Sequence, residues 1–275
     1  MRRLAQTFDT LKAEKRKGLI TFVMGGDPDP DTSLAILKAL PGCGADILEI
    51  GMPFSDPMAD GPVIQKAGQR ALAAGTTLLK IFELVRSFRK ENAKTPLVLM
   101  GYANPIYRYG VDKFALDCAD SGVDGVIVVD LPPEEDQQVR EAVGNQFVDM
   151  IRLIAPTSDS QRLEKITDGA SGFLYYVSIT GITGAAKANL EAVRGHLESV
   201  RSKTNLPLVI GFGIKTPQDA QEMAALGDAV VVGSSIVEKV ALLSEKSGKI
   251  PSDGPEIKAV LDHVRALSAA LKSPA

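Results

Sequence analysis

The stretch DGVIVVDLPPEEDQQVREAV, residues 124–143, holds one full instance of the pattern that decides the fold. Residues 124–132 form a short β-rich apolar run that ends in proline. Residues 134–143 then bring Val139, Ala142 and Val143 to one side of an otherwise polar segment, which is the spacing of an amphipathic helix. Seven more runs of the first kind occur, at 18–26, 45–51, 96–102, 150–156, 173–178, 207–213 and 229–234. Amphipathic segments such as 76–90 and 189–202 separate them. Strands alternating with helices make βαβ units, which build a parallel sheet. Eight such units in about 250 residues predict a closed barrel. The expected fold is α/β, a (β/α)8 TIM barrel with an extra N-terminal helix, forming a single domain over residues 1–275. An open doubly wound sheet is the alternative that alternation alone leaves.

Internal repetition is weak. CGADILEIGMPFSDP (43–57) resembles SGVDGVIVVDLPPEE (121–135), and LGDAVVVGS (226–234) echoes both. Each has a glycine, then an aspartate one or two positions on that opens a strand. Repeated βα units account for this.

Composition narrows the class. The 275 residues are 45% hydrophobic and 24% charged, enough for a large core. A net charge of −3 implies no nucleic-acid partner. The densest basic group, KAEKRK at 12–17, reads as the solvated face of a first helix. Cys43 and Cys118 lie in apolar surroundings without CxxC spacing, so buried thiols in a reducing compartment are expected. No apolar run reaches membrane-spanning length, and no signal peptide follows the basic N-terminus. A soluble, cytoplasmic protein is the expectation.

Within this frame one carboxylate is out of place. In LEIGMPFSDPMADGP (48–62), Glu49 interrupts an apolar strand. Side chains alternate along a strand, so Ile47, Glu49 and Gly51 share one face and Leu48 and Ile50 the other. The apolar pair suits the outer helices, which points Glu49 into the barrel near the C-terminal end of the strand. Barrel enzymes keep their sites at that end. A buried carboxyl raises its pKa or finds a partner, as a general acid or base requires. Asp56 and Asp60 occupy the loop that follows. Either is a common turn residue, yet a second carboxylate near Glu49 would put an acid and a base on two sides of one substrate. Asp130, ending the fourth run, either faces the mouth or caps the next turn.

Two glycine-bearing strand ends suggest phosphate. GFGI (211–214) closes the seventh run, and GSS (233–235) closes the eighth and opens a helix. Loops after strands seven and eight of a barrel, with a helix N-terminus, commonly bind phosphate. Ser234 adds a hydroxyl. The segment SITGITGAAKAN (178–189) is long enough for a lid, with Gly181 and Gly184 as flexible points. His196 and His263 fall in helical patterns, so no histidine-based metal site or triad is assembled. Lys215, the one candidate for a Schiff base, is expected to face solvent. Phe22, Tyr102, Tyr175 and Phe212 near strand ends can line a slot for a flat ligand.

Five segments in order, LEIGMPFSDPMADGPVIQ, GYANPIYRYG, GVDGVIVVDLPPEE, YYVSITGITGA and GFGIKTP, resemble the α chain of tryptophan synthase over about residues 5–270. The resemblance implies a lyase that splits indole-3-glycerol phosphate into indole and glyceraldehyde 3-phosphate by a retro-aldol step. It implies Glu49 as the acid–base residue, Asp60 as the carboxylate that holds the ring N–H, and Tyr175 beside Glu49. It places Phe22, Met100, Tyr102, Ile127, Val129 and Phe212 around the indole. Thr183 and Gly184 match the lid, and Gly213, Gly233 and Ser234 match phosphate donors. No cofactor or metal is implied in this chain. The implied partner is a β chain carrying pyridoxal phosphate, in an αββα heterotetramer, with Pro53–Asp56 and Pro132 facing it. The sequence departs from some members in the lid: they carry an arginine just after the serine, where this chain has Ile179 and Thr180. A sugar-phosphate isomerase on the same barrel, and a non-catalytic subunit that only activates the β chain, are the alternative functions.

Overall fold

Each of the eight apolar runs contains a strand, to within one residue at the start of β5: β1 (Gly18–Met24), β2 (Ile47–Gly51), β3 (Leu97–Gly101), β4 (Gly125–Val128), β5 (Asp149–Ile154), β6 (Leu174–Val177), β7 (Leu208–Gly211) and β8 (Ala229–Val232). The computed structural model describes residues 2–177, 190–211, 213–244 and 254–272. The helices are α1 (Arg3–Ala13), α2 (Pro30–Ala39), α3 (Pro62–Ala73), α4 (Leu78–Arg89), α5 (Ala103–Tyr109) and α6 (Val111–Ser121). They continue with α7 (Gln137–Asn145), α8 (Ser160–Thr167), α9 (Leu190–Arg201), α10 (Pro217–Ala224), α11 (Ser234–Ala241) and α12 (Pro255–Lys272).

All strand pairs are parallel and follow chain order, and β1 also pairs with β8 to close the barrel. The open-sheet alternative is therefore excluded. Closure explains the near-continuous apolar runs: every residue of β1, β2, β4 and β8 is buried, because helices cover one face and the interior fills the other. Helix boundaries follow local chemistry. The Asp29 carboxylate accepts the Thr32 N–H at the start of α2, and Thr216 with Asp219 forms a capping box on α10.

The apolar side chains separate into two cores. One lies between sheet and helices and includes Leu48, Ile50, Phe82 and Phe114. The other fills the barrel and includes Ile20, Phe22, Ile47, Val98, Ile127, Ile151, Tyr175, Val209 and Val231. Helix α1 plugs the N-terminal end, where Leu4, Phe8 and Leu11 join this interior core and Phe8 packs 5.8 Å from Phe173.

The weak repeat has a structural cause. Asp46, Asp124 and Asp228 each precede an even-numbered strand, and each accepts a backbone N–H near the start of the preceding strand. The donors are Leu19, Leu97 and Leu208, all at 2.8 Å. Ser171 does the same before β6, accepting from Met150 at 2.9 Å. These side chains satisfy N–H groups at the barrel rim. The expectation for KAEKRK needs correction. Helix α1 stops at Ala13, and Arg16 turns back to grip Asp46 with two 2.8 Å bonds while Lys17 donates to the Gly227 carbonyl at 2.7 Å. Its last two cations seal the barrel floor instead of facing water. Cys43 and Cys118 are buried free thiols. Among the described residues, no helix is long and apolar enough to cross a membrane.

Candidate active site

Glu49 is 1% exposed, in the middle of β2, in register with Phe22 of β1 and Val98 of β3. Both neighbours belong to the interior core, so the carboxyl points into the barrel. Neither of its oxygens has a hydrogen-bond partner. An ionised carboxylate so placed has lost its water without compensation. Burial alone pushes its pKa up to about 8, so at neutral pH it holds a proton that it can give away. Tyr175, on β6 across the barrel, is buried, and its hydroxyl is held well above the ordinary tyrosine range by burial and then by the Glu49 charge.

Asp60 lies in the loop between β2 and α3, half-buried. Three contacts fix it. Its backbone N–H donates to Pro57 at 3.1 Å, and its carbonyl accepts from the Gln65 side chain at 2.9 Å. The Tyr102 hydroxyl accepts from the Ala59 N–H at 3.1 Å and shares a hydrogen bond with the Asp60 carboxylate. Burial raises the Asp60 pKa, and the Tyr102 bond opposes that rise. Tyr102 also packs on Phe54, with ring centroids 5.5 Å apart. The residue expected only as an apolar wall is thus also a polar support. Gln65 was not singled out in the sequence; its signal was an amide in the first turn of a helix that starts at Pro62. Asp56 is exposed and bonds Ser55 at 2.5 Å. Asp130 faces the mouth, in the wall of its cavity, and also caps a helix that is not the next one: it accepts the Ala103 N–H at 2.8 Å and so holds the start of α5 on the neighbouring strand's loop.

A cavity of about 810 Å³ opens at this end, and Asp60, Met100, Val129, Leu153, Tyr175 and Val177 are in its wall. Phe22, Glu49 and Ile127 lie among the buried residues of the interior. The space depends on small residues. A Cβ at Gly211 would come within 2.2 Å of the Tyr175 ring and 2.5 Å of its hydroxyl. Gly211→Ala is expected to displace that ring, cost about 1–3 kcal/mol of stability, and lower turnover. Thermal unfolding and steady-state kinetics measure the two effects, and a variant equal to the parent in both would show that the ring has room to move.

At the ends of β7 and β8, Gly213 is exposed with a φ of +32°, and Gly233 is the N-cap of α11 with no side chain occupying the cap. Ser234 is the first helical residue. Free N–H groups of a helix start are what an anion needs. Phe212 and the segment 178–189, with Ile179, Thr180, Gly181, Thr183 and Gly184, lie outside the described residues. Lys215 is exposed, 3.7 Å from Glu238, and does not enter the cavity. His196 sits on α9, bonded to the Ser158 carbonyl at 2.8 Å. Among the described residues, no group of three or more His, Cys, Asp or Glu side chains is arranged to hold a metal.

A closed barrel with a buried acid and a glycine-lined mouth is common to many enzymes, so comparison decides between them. The family model for the tryptophan synthase alpha chain matches residues 8–260. The chain belongs to the tryptophan synthase alpha chain family. Its structure is similar to that of tryptophan synthase subunit alpha from Legionella pneumophila str. Paris, at 38% identity and a TM-score of 0.89 over 98% of each chain. A protein of Aquifex aeolicus VF5 is 36% identical, with a TM-score of 0.88 over 99% of this chain and 100% of its own. A tryptophan synthase structure from M. tuberculosis, an open form with BRD0059 bound, is 31% identical, with a TM-score of 0.86 over 100% of both chains. Tryptophan synthase alpha chains are lyases of tryptophan biosynthesis that cleave indole-3-glycerol phosphate. They use no cofactor of their own and work with a β-chain partner. Membership sets aside the isomerase and the non-catalytic alternatives.

Proposed function

We propose that this chain cleaves indole-3-glycerol phosphate with Glu49 as its acid–base residue and Asp60 as the carboxylate facing the indole nitrogen. The supporting observation is the unpartnered Glu49 carboxyl, buried inside the barrel, with Asp60 in the wall of the cavity at its mouth. Protonated Glu49 gives its proton to the ring carbon that bears the glycerol chain. The ring becomes an iminium-like cation, which Asp60 stabilises through the N–H. Glu49, now a carboxylate, takes the proton of the hydroxyl next to the ring. The carbon–carbon bond breaks, its electrons restore the indole, and the hydroxyl carbon becomes the aldehyde of glyceraldehyde 3-phosphate. The ring itself is the electron sink, so the steps draw on no metal, imine or cofactor in this chain. Phe22, Met100, Tyr102, Ile127, Val129 and Phe212 surround the ring, and Tyr175 packs beside Glu49. Gly213, Gly233 and Ser234 hold the phosphate, and the family resemblance assigns Thr183 and Gly184 to the lid. Remote phosphate binding then positions the reacting carbon.

The proposed setting is cytoplasmic, in an α2β2 assembly whose β chain carries pyridoxal phosphate and consumes the indole. The loop after β2 supports a docking role: Ser55 and Asp56 are exposed, Met58 is 82% exposed, and Pro132 is exposed nearby. The direct test is indole release from indole-3-glycerol phosphate by the purified chain. Asp60→Asn is expected to lower kcat by about a hundredfold, in line with losing one charged stabiliser of the transition state. Tyr102→Phe, which removes only the hydroxyl that steadies Asp60, is expected to cost about tenfold or less. A Tyr102 variant more damaged than the Asp60 variant would reverse this assignment of roles.

A further inference from the structure

Beneath the first turn of α11, three chain segments meet at one hydroxyl. Ser235, the second residue of the helix, is 6% exposed. Its Oγ lies 3.0 Å from Nε2 of His263 on α12 and 3.5 Å from the carbonyl of Ile214, the residue after Gly213. A hydroxyl has a single proton. Donated to Ile214, it leaves Ser235 to accept from His263, which places the imidazole proton on Nε2. Burial and then Lys239 hold the His263 pKa below its ordinary value, in keeping with a neutral ring that donates from one nitrogen.

The contact matters because of where the sheet ends. The β7–β8 ladder stops at the Gly211–Val231 pair, two residues short of Gly213 and of Gly233. Beyond it, no backbone hydrogen bond joins the two loops among the described residues. The Lys215–Glu238 ion pair also spans them, but it is 3.7 Å long and exposed, and such pairs contribute little. Two loops from different strands must nevertheless present their N–H groups at one separation to hold a single phosphate, and looseness there weakens the grip.

We propose that Ser235 and His263 are positioning residues for the phosphate grip, the chain His263–Ser235–Ile214 setting the gap between the Gly213 loop and the start of α11. This rests on the phosphate reading of those loops. Both residues lie behind the site and touch no substrate.

The test uses the full chain with Ser235→Ala and His263→Leu. KM for indole-3-glycerol phosphate and the Kd of glycerol 3-phosphate are expected to rise about fivefold, the worth of one buried hydrogen bond. The kcat and the Kd of free indole, which has no phosphate, are expected to stay within about twofold of the parent values on the same grounds. His263→Gln, whose amide N–H can reach the same oxygen, is expected to recover most of the loss. Unchanged KM in Ser235→Ala and His263→Leu, or equal weakening of glycerol 3-phosphate and indole, would overturn the proposal. Ser234→Glu separates the two levels of inference, because a negative charge at the helix start repels a phosphate held there. If it leaves glycerol 3-phosphate binding intact, the phosphate reading fails and this proposal with it. If it abolishes binding while Ser235→Ala does not weaken it, the positioning role alone is wrong.

Discussion

Glu49→Gln is expected to lower kcat for indole-3-glycerol phosphate cleavage by about three orders of magnitude, within the range that proton transfer by a placed side chain supplies. Glutamine fills the same volume among the same interior neighbours but neither gives nor takes the proton. Binding of glycerol 3-phosphate, whose proposed contacts lie across the mouth, should be retained. The substitution should also stabilise the fold in a pH-dependent way. The folded pKa of about 8 is raised above the ordinary glutamate value, so between the two the folded chain binds more protons at this site than the unfolded chain. Stability contributed by Glu49 is therefore full at low pH and is lost as pH rises from the ordinary value through about 8. Glutamine has no such dependence. The unfolding free energy of Glu49→Gln relative to the parent should climb between pH 5 and pH 8 and then level off, with a difference of about a few kcal/mol at the top. A constant difference would mean that Glu49 is ionised or solvated in the folded chain. The same pKa predicts that kcat/KM falls above about pH 8, as the proton donor is lost.

Arg152→Leu is expected to cause a large loss of stability. Arg152 stands on the outer face of β5, 6% exposed, and its Nε and Nη2 reach Oδ2 of Asp136 at 2.7 Å and 2.6 Å. Its Nη1 donates to the carbonyls of Lys165 and Ile166 at 3.0 Å, and to that of Asp168, at the end of α8. Asp136, completely buried, precedes α7. One guanidinium thus ties two helices to one strand. Leucine would leave a buried carboxylate and several helix-end carbonyls without that donor. Arg140 keeps a 3.2 Å contact to Asp136, which softens the loss. The net cost is expected near the low end of that for a broken buried pair, about 3 kcal/mol, or a fall in Tm of about 6–12 °C. Arg152→Leu combined with Asp136→Leu should recover much of it, because no lone charge then stays buried. A single variant within about 1 kcal/mol of the parent would show that water reaches Asp136.

Legibility from sequence varied with the range of the interaction. The strands β1 to β8 were readable because burial on both faces writes itself as near-continuous apolar runs. Glu49's direction was readable because alternation is a property of one strand. Gly233 and Ser234 were readable as a helix start for the same local reason. Tyr102's hold on Asp60 was not, since 42 positions separate the two and an aromatic residue at a strand end looks apolar. Asp130 reads as facing the mouth or capping the next turn; it does line the mouth cavity, but the helix it caps belongs to the neighbouring strand, a partner that only barrel closure supplies. Arg16 and Lys17 were assigned to water because a charge run gives no sign that Asp46 and the Gly227 carbonyl wait beside it.

The sequence by itself determined the number of strands, their parallel direction, the face on which Glu49 sits and, through five long segments, the family. Those depend on periodicity and on residues close together in the chain. Tertiary structure alone decided which groups support the site: Tyr102 and Gln65 around Asp60, Gly211 making room for Tyr175, and Ser235 between Ile214 and His263. The physical reason is that hydrogen bonds and excluded volume act over a few ångströms of space, and closing the sheet brings together atoms whose separation along the chain carries no trace of that contact.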